Sequence, residues 1–542
     1  MTVRLPNIDW RLRVALVAAL TVLAAWLRFS ATDFGLPDQL RPDEEMTVPT
    51  ALGFENDWNP HLAIYPAAQT YLIHGVLRSY AMLTGAGRDL HVAYGSDNNA
   101  PAFLLARRLS AAMGAATVPI IYLAAAPVYG PTAALVSSAI LTVAYIHVRE
   151  SKFAKVEVPA GFWLALSILS MLRIVQGGRS IDYALAGVFC GLAAATHYTS
   201  GTISVGILVA HLEMRHREAR SLIGSLVDPR IYLAGLASIL TFLCADPYFV
   251  LDWTRTVHDY AFLNVTYQMW NGGSTPAGFG WPWLLFRAMP AALGIELEIF
   301  LLAALPWVLF RPRPGTLALL AFIAACFLSL TSGHPQLEFR YLVNPLLAMS
   351  ILAGLLAIDL IALICSWLGV RSGYAVAALA GIILLAPSAF RDLQLNQFLR
   401  RKDTRTIARK WMLAHIPPST AVVLIGGENY GKPKIPGQYQ LVSVDGGTLS
   451  LGKAIDQAKW VVSDSFPPLS LWSGTTTDAQ IDLLNARGTL EFDLDPIKAG
   501  APEPVFDPND AFFVPFNHFT SVTRPGPRIR IWKLKKNPGD VN

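Results

Sequence analysis

Three consecutive carboxylates, Asp43-Glu44-Glu45, follow Arg41-Pro42 a few residues beyond the first apolar run, Val14 to Phe29. Acids at the mouth of a set of apolar helices are costly to desolvate, so they are functional candidates. The same loop carries His61 and Tyr65-Pro66. If the apolar runs cross a bilayer in turn, the same side collects Arg107 and Arg108, the run Arg149 to Glu157 with Lys152 and Lys155, and His197-Tyr198. It also collects Asp246, His334, Glu338, Arg340 and Tyr341. Acids beside several cations at headgroup depth suit transfer of a group from a lipid phosphate. A carboxylate accepts or orients the proton of an attacking hydroxyl. Guanidinium forks match the oxygens of the departing phosphate. A site that only bound phospholipid would need the cations and not the acids. Each residue also has a plainer reading. Arg108 and Arg340 could be interfacial anchors. Lys152 and Lys155 could form a solvated loop face, and Glu44 and Glu45 could be solvated neighbours. His197 could be a core histidine and Asp246-Pro247 a turn.

The elements that must position these groups are membrane helices. The 542 residues are 53% hydrophobic and only 15% charged, with mean hydropathy +0.41, whereas soluble chains carry about 25% charged residues. The shortfall lies before about residue 390. Apolar lengths and Lys/Arg bias predict about eleven spans, at about 14–29, 107–129, 132–147, 159–172, 183–196, 201–212, 231–243, 295–310, 316–330, 341–368 and 374–386. Residues 67–83, interrupted by Gln69, His74 and Arg78, suit an interfacial helix. Treating that segment so puts Arg215–Arg220 inside and leaves both the acidic loop and the tail outside. Arg11 and Arg13 before the first run read as the inside flank of an uncleaved span. The net charge of +5 fits the inside bias and carries no nucleic-acid signal. Cys190, Cys244, Cys326 and Cys365 all fall in apolar runs, without metal or disulfide spacing. The expected division is residues 1–390, membrane, with 30–106 as a first outer loop bearing juxtamembrane helices, and 391–542, a small α/β domain. In that tail an amphipathic helix with Ile407, Trp411 and Leu413 on one side ends at Pro417-Pro418. Strands are expected at 421–427, 460–463 and 528–532. Gly426-Gly427 reads as a turn rather than a phosphate loop.

Several stretches together resemble the GT-C class of membrane glycosyltransferases, in particular the protein O-mannosyltransferase and aminoarabinose-transferase-like group. They are Pro42-Asp43-Glu44, Asn59-Pro60-His61 with Tyr65-Pro66, Ala106-Arg107-Arg108-Leu109-Ser110, and Val148-Arg149-Glu150-Ser151-Lys152-Phe153-Ala154. Further on are Gly191 to Thr199, Glu338 to Pro345, and Asp403-Thr404-Arg405 with Ala408 and Trp411. The resemblance covers about residues 10–420. It implies a polyprenyl-phosphate sugar donor, an inverting transfer and an active site on the outer face. By position it makes Asp43 the catalytic carboxylate and Glu44 its partner. Arg108 and Arg340 become phosphate ligands, with Lys152 and His61 as further candidates, and Arg107, His334, Glu338, Tyr341, His197 and Asp246 complete the set. The aminoarabinose transferases show Lys-Pro-Pro where this chain has Ile64-Tyr65-Pro66, and many relatives have Lys at the position of His197.

The expectation is therefore a multi-pass glycosyltransferase of a bacterial inner membrane, N-terminus cytoplasmic and tail domain periplasmic. It would act on a glycan or glycolipid acceptor, for instance in lipopolysaccharide. A transporter or flippase of a lipid-linked or anionic substrate, and an oligosaccharide ligase using a diphosphate donor, stand as alternatives. The sugar, the acceptor and a divalent metal ion beside the acids are all left open.

Overall fold

The computed structural model describes residues 9–535 except 87–88, 95–98, 272–280, 334–337, 370–372, 428, 436, 445–447, 467–475 and 508–509. His334 lies outside the described residues. The chain divides into two compact units. One is residues 1–32 with 43–393; the other is residues 33–42 with 394–542.

The first unit is all helix. Helix α1 spans Trp10–Phe29, and α2 spans Glu44–Gly53. Helix α3 covers Ala68–Thr84, α4 Ala100–Tyr129, α5 Pro131–Val143, α6 Tyr145–Glu150, α7 Glu157–Val175 and α8 Ser180–Thr196. Then come α9, Ile203–Arg217; α10, Pro229–Ala245; α11, Trp253–Asn271; α12, Ile295–Phe310; α13, Thr316–Gly333; α14, Val343–Trp367; and α15, Tyr374–Leu399. Local chemistry sets the starts: Asp9 accepts from the Arg11 amide, and Asp228 precedes Pro229 and accepts from the Arg230 amide.

A helix thus occupies each of the eleven expected span positions. Among the described residues, six helices are long and apolar enough to cross a bilayer, or seven if the segment 284–310, bent by 119°, is one broken span. Three shorter apolar helices lie at 131–143, 180–196 and 316–330. Helix α3 is in neither group. Helix α14 is buried nearly all round from Val343 to Ala357 and packs against α5, α7, α12 and α13. Outer faces of α1, α10 and α15 expose Val22, Trp26, Leu236, Ile239, Ile382 and Ile383, as lipid contact requires.

Close helix crossings rest on small residues. A β-carbon at Gly187 or Gly191 of α8 would lie 2.1 Å from the Ala234 carbonyl oxygen or 2.4 Å from that of Ser238, both on α10. Gly354 of α14 meets the Ala133 carbonyl of α5 in the same way, at 2.6 Å.

The second unit is a three-layer α/β fold. Helix α16, Thr404–His415, precedes β1, Ala421–Ile425, and β2, Gln440–Val444. Next are α17, Thr448–Ile455; β3, Trp460–Ser465; α18, Asp478–Arg487; β4, Gly488–Leu494; and β5, Arg528–Leu534. The sheet order is β2-β1-β3-β5-β4; the first three strands run parallel, and β5 is antiparallel to both neighbours. Alternation sends Val422, Leu424, Val462 and Ile531 to one face with Ala408 and Met412 of α16. Val423, Ile425, Val461 and Trp532 go to the other, with Leu451 of α17 and Leu484 of α18. Leu413, expected on the apolar side of α16, is exposed. Gly426 and Gly427, at φ 79° and 67°, make the expected turn after β1.

Residues 33–42 belong to this unit through specific bonds. Asp38 accepts from Thr406 Oγ1 at 2.5 Å and from Arg409 at 2.8 Å. Arg41, fully buried, is ion-paired with Asp510, and its guanidinium lies 4.6 Å from the centre of the Phe512 ring.

Candidate active site

Asp43 stands at the residue before α2 with φ 70°, a left-handed conformation that few residues except glycine, Asn and Asp tolerate. Its side chain does not cap the helix. Instead Oδ2 forms an ion pair with Lys155 Nζ at 2.8 Å and accepts a hydrogen bond from Arg340 at 3.0 Å. Lys155 arrives from the turn between α6 and α7. Arg340 arrives from the one-turn 3₁₀ helix Phe339–Leu342 just before α14. Arg340 also pairs with Glu157, at 2.8 Å, and with Glu338. Three carboxylates and two cations thus meet, drawn from the first loop, the start of α7 and the approach to α14. The Asp43 side chain keeps 20% of its surface exposed, whereas Lys155 is buried.

Tyr65 lies within the electrostatic reach of this cluster. Burial, and then the charge of Asp43, raises its phenol well above the usual range. His197 follows the last residue of α8, and its ring stacks on Tyr341 at 6.1 Å. Burial lowers the His197 imidazole below its ordinary value, the Arg340 and Lys155 charges adding to that and Glu157 opposing it. Its Nδ1 lies 2.8 Å from Thr199 Oγ1. Glu157, His197, Thr199, Arg340, Tyr341 and Asn344 line a small cavity beside the ionic cluster.

Asp43, Arg340, Glu338, Tyr341 and His197 are therefore brought together. Lys155, Glu157 and Tyr65 join them without having been singled out as site residues. Lys155 and Glu157 had a signal, their place in the charged run 149–157, but alternating charge there reads equally well as loop surface.

Other candidates sit elsewhere. Glu44 is fully buried and takes Arg107 in a fork, Nε to Oε1 at 2.9 Å and Nη2 to Oε2 at 2.6 Å, with the Ala154 amide donating to Oε1 at 2.8 Å. Arg107 also donates to the Thr32 carbonyl at 2.9 Å. This buried pair seats the start of α2 against α4 and the turn after α6. Lys152, also buried, donates to the carbonyls of Leu27 and Ser30 at the end of α1. Arg108 is exposed on α4 and takes no part in the Asp43 network among the described residues. His61 is exposed and bonds Asp57 at 2.7 Å. Asp246 ends α10 at a separate pocket, where burial pushes its carboxyl up to about 6 against two backbone amides. Among the described residues no group of three or more His, Cys, Asp or Glu side chains is arranged to hold a metal ion.

Residues 102–245 match the sequence model of the family described as dolichyl-phosphate-mannose-protein mannosyltransferase. No curated protein matches the chain significantly. ArnT from Cupriavidus metallidurans, solved with undecaprenyl phosphate, is similar over 97% of this chain and 99% of its own, with 13% identity and TM-score 0.54. The Archaeoglobus fulgidus oligosaccharyltransferase, tethered with an acceptor peptide, is similar over 84% of this chain and 69% of its own, with 12% identity and TM-score 0.51. At such identities the likeness is one of fold. Residues 102–245 are thus similar to the protein-mannosyltransferase family, and the chain as a whole has a polytopic helical fold similar to that of ArnT.

Proposed function

We propose that the protein transfers one sugar from a polyprenyl-phosphate donor to an acceptor hydroxyl at the outer face of a bacterial inner membrane, with inversion. The observation that carries this is the Asp43 carboxylate held between Lys155 and Arg340 in a GT-C fold. Asp43 takes the proton of the acceptor hydroxyl as its oxygen attacks the anomeric carbon. The bond from that carbon to the phosphate oxygen breaks on the opposite face, and the electron pair leaves with the phosphate. Arg340 and Lys155 exchange carboxylate partners for phosphate oxygens and stabilise the departing charge. Arg108, on the exposed face of α4, is a further cation open to the donor. One displacement gives inversion.

The discontinuous second unit supports the sidedness. Residues 33–42 and 394–542 fold together and so share one side of the membrane. The crossings between residues 43 and 393 must then be even in number, as the ten expected after α1 are. Lys/Arg bias puts that side outside.

The test uses purified full-length protein in detergent with a panel of undecaprenyl-phosphate sugars and cell-envelope glycolipid as acceptor. The intact protein should release undecaprenyl phosphate in step with acceptor glycosylation. Asp43→Asn should lower the rate by about 10² or more, while still binding undecaprenyl phosphate. Near-normal turnover in that variant sinks the assignment. A flippase would give no product without a sealed compartment.

A further inference from the structure

Residues 33–42 leave the helical unit and return to it at one place. Arg107 on α4 marks that place. Its Nη1 donates to the Thr32 carbonyl at 2.9 Å, and its Nε and Nη2 hold the Glu44 carboxylate at 2.9 and 2.6 Å. One guanidinium thus ties the two ends of an excursion whose middle belongs to the second unit. Asp43 stands on the returning limb, between Arg41 and Glu44. We infer that Arg41 is a positioning residue for Asp43: anchored on Asp510, it fixes from one side the backbone that Glu44 and Arg107 fix from the other. The inference rests on Asp43 being the base, as proposed above.

The far anchor is built into the second unit. Arg41 is buried and paired with Asp510, with its guanidinium over the Phe512 ring. Phe34, on the outgoing limb, meets the same ring edge-on at 5.0 Å. Asp38, between them, takes Thr406 and Arg409 of α16. The receiving segment is itself core: Ala511, Phe512, Phe513 and Val514 are all buried. The near anchor is as well supported. The Ala154 amide donates to Glu44 at 2.8 Å, and Thr47 Oγ1 donates to the Ala154 carbonyl at 2.9 Å.

Asp43 needs anchors on both sides for two reasons. A residue other than glycine keeps a φ of 70° only where its surroundings enforce it. Its ion pairs with Lys155 and Arg340, moreover, do not last through the proposed reaction, because both cations turn to the phosphate. The chain on either side lasts throughout. On the Arg41 side that chain is stiff, since the ring of Pro42 locks its φ. At about 3.8 Å per residue, the path from Arg41 to Asp43 is no longer than about 8 Å. A shift at the Arg41 anchor is therefore passed to the carboxylate, and a displacement of about 1 Å at a reacting group can cost about 10² in rate.

The experiment uses full-length variants in detergent with the panel of undecaprenyl-phosphate sugars and the envelope glycolipid. Arg41→Gln should lower kcat tenfold or more while the donor KM stays within threefold. Asp510→Asn should do the same, and the double variant should fall no more than threefold below either single one, as expected of two groups that act as a pair. Arg41→Lys, which keeps the charge, should lose less than Arg41→Gln. Two glycines inserted between Arg41 and Pro42 leave every anchoring side chain in place and slacken only the link, so they should lower kcat as Arg41→Gln does. That insertion carries the test if Arg41→Gln fails to fold. Lys432→Gln breaks another buried pair of the same unit, with Asp464, and should lower the unfolding midpoint without changing the kcat of folded protein.

A second readout is independent of turnover. Hydrogen exchange, followed by mass spectrometry on the peptide covering residues 43–47, should quicken in Arg41→Gln and in the insertion, and not in Lys432→Gln. Parental kcat and parental exchange in the insertion would overturn the inference, as would an equal loss of kcat in Lys432→Gln. Faster exchange at 43–47 together with full turnover in Asp43→Asn would instead sink the catalytic reading and leave the hold of Arg41 on Asp43 standing.

Discussion

Asp43 and Glu44 are chemically near-identical neighbours with opposite environments. The chain turns through φ 70° at Asp43 and then enters α2. That turn sends one carboxylate to the half-open ionic cluster and the other into a dry pocket against Arg107. Sequence reading found the pair but could not separate the two, because the separation is made by one backbone torsion. Glu44→Gln should keep the shape and leave Arg107 buried with half a partner. Losing one member of a buried pair costs about 3–5 kcal/mol, so a lower unfolding midpoint in detergent is expected. Protein that remains folded should still bind undecaprenyl phosphate. A variant as stable as the parent would show the pair to be incidental.

Among elements, long apolar helices were readable because lipid imposes length and composition directly. In the sheet, β1, β3 and β5 were readable, and they occupy the interior of the order β2-β1-β3-β5-β4. The strands missed, β2 and β4, are the two edges, half-exposed and without an apolar run. Leu413 misled for a related reason: the buried side of α16 is set by Ala408 and Met412 against the sheet, which periodicity alone does not reveal. The α8–α10 crossing gives a sharp test. Gly187→Val would drive a side chain into the Ala234 backbone, so the helices must separate. Expected is a large loss of folded protein, read by detergent size-exclusion and thermal unfolding, whereas Gly235→Val, with open space around it, should be tolerated. Equal behaviour of the two variants would contradict the packing.

At the scale of the molecule, the interleaving of the two units had no local signature. Nothing near Asp38 or Arg41 announces partners at Thr406, Arg409 and Asp510. Residues 394–542 expressed alone would lack Asp38 and Arg41, removing the Arg41–Asp510 pair and the contacts of Phe34 and Arg41 with the Phe512 ring. We expect that fragment to be poorly folded, with wide amide-proton dispersion returning when residues 33–42 are fused to it through a flexible linker. A well-dispersed spectrum from the fragment alone would show the ten residues to be dispensable.

The Arg41–Asp510 pair also sets a clock on synthesis. Its members are 469 residues apart. At roughly 5–20 residues per second, the ribosome needs on the order of half a minute to a minute and a half between them. Throughout that interval Arg41 waits without its carboxylate while helix after helix enters the bilayer. The leader of the acidic loop must therefore stay soluble and unclaimed by other surfaces until the last part of the chain emerges.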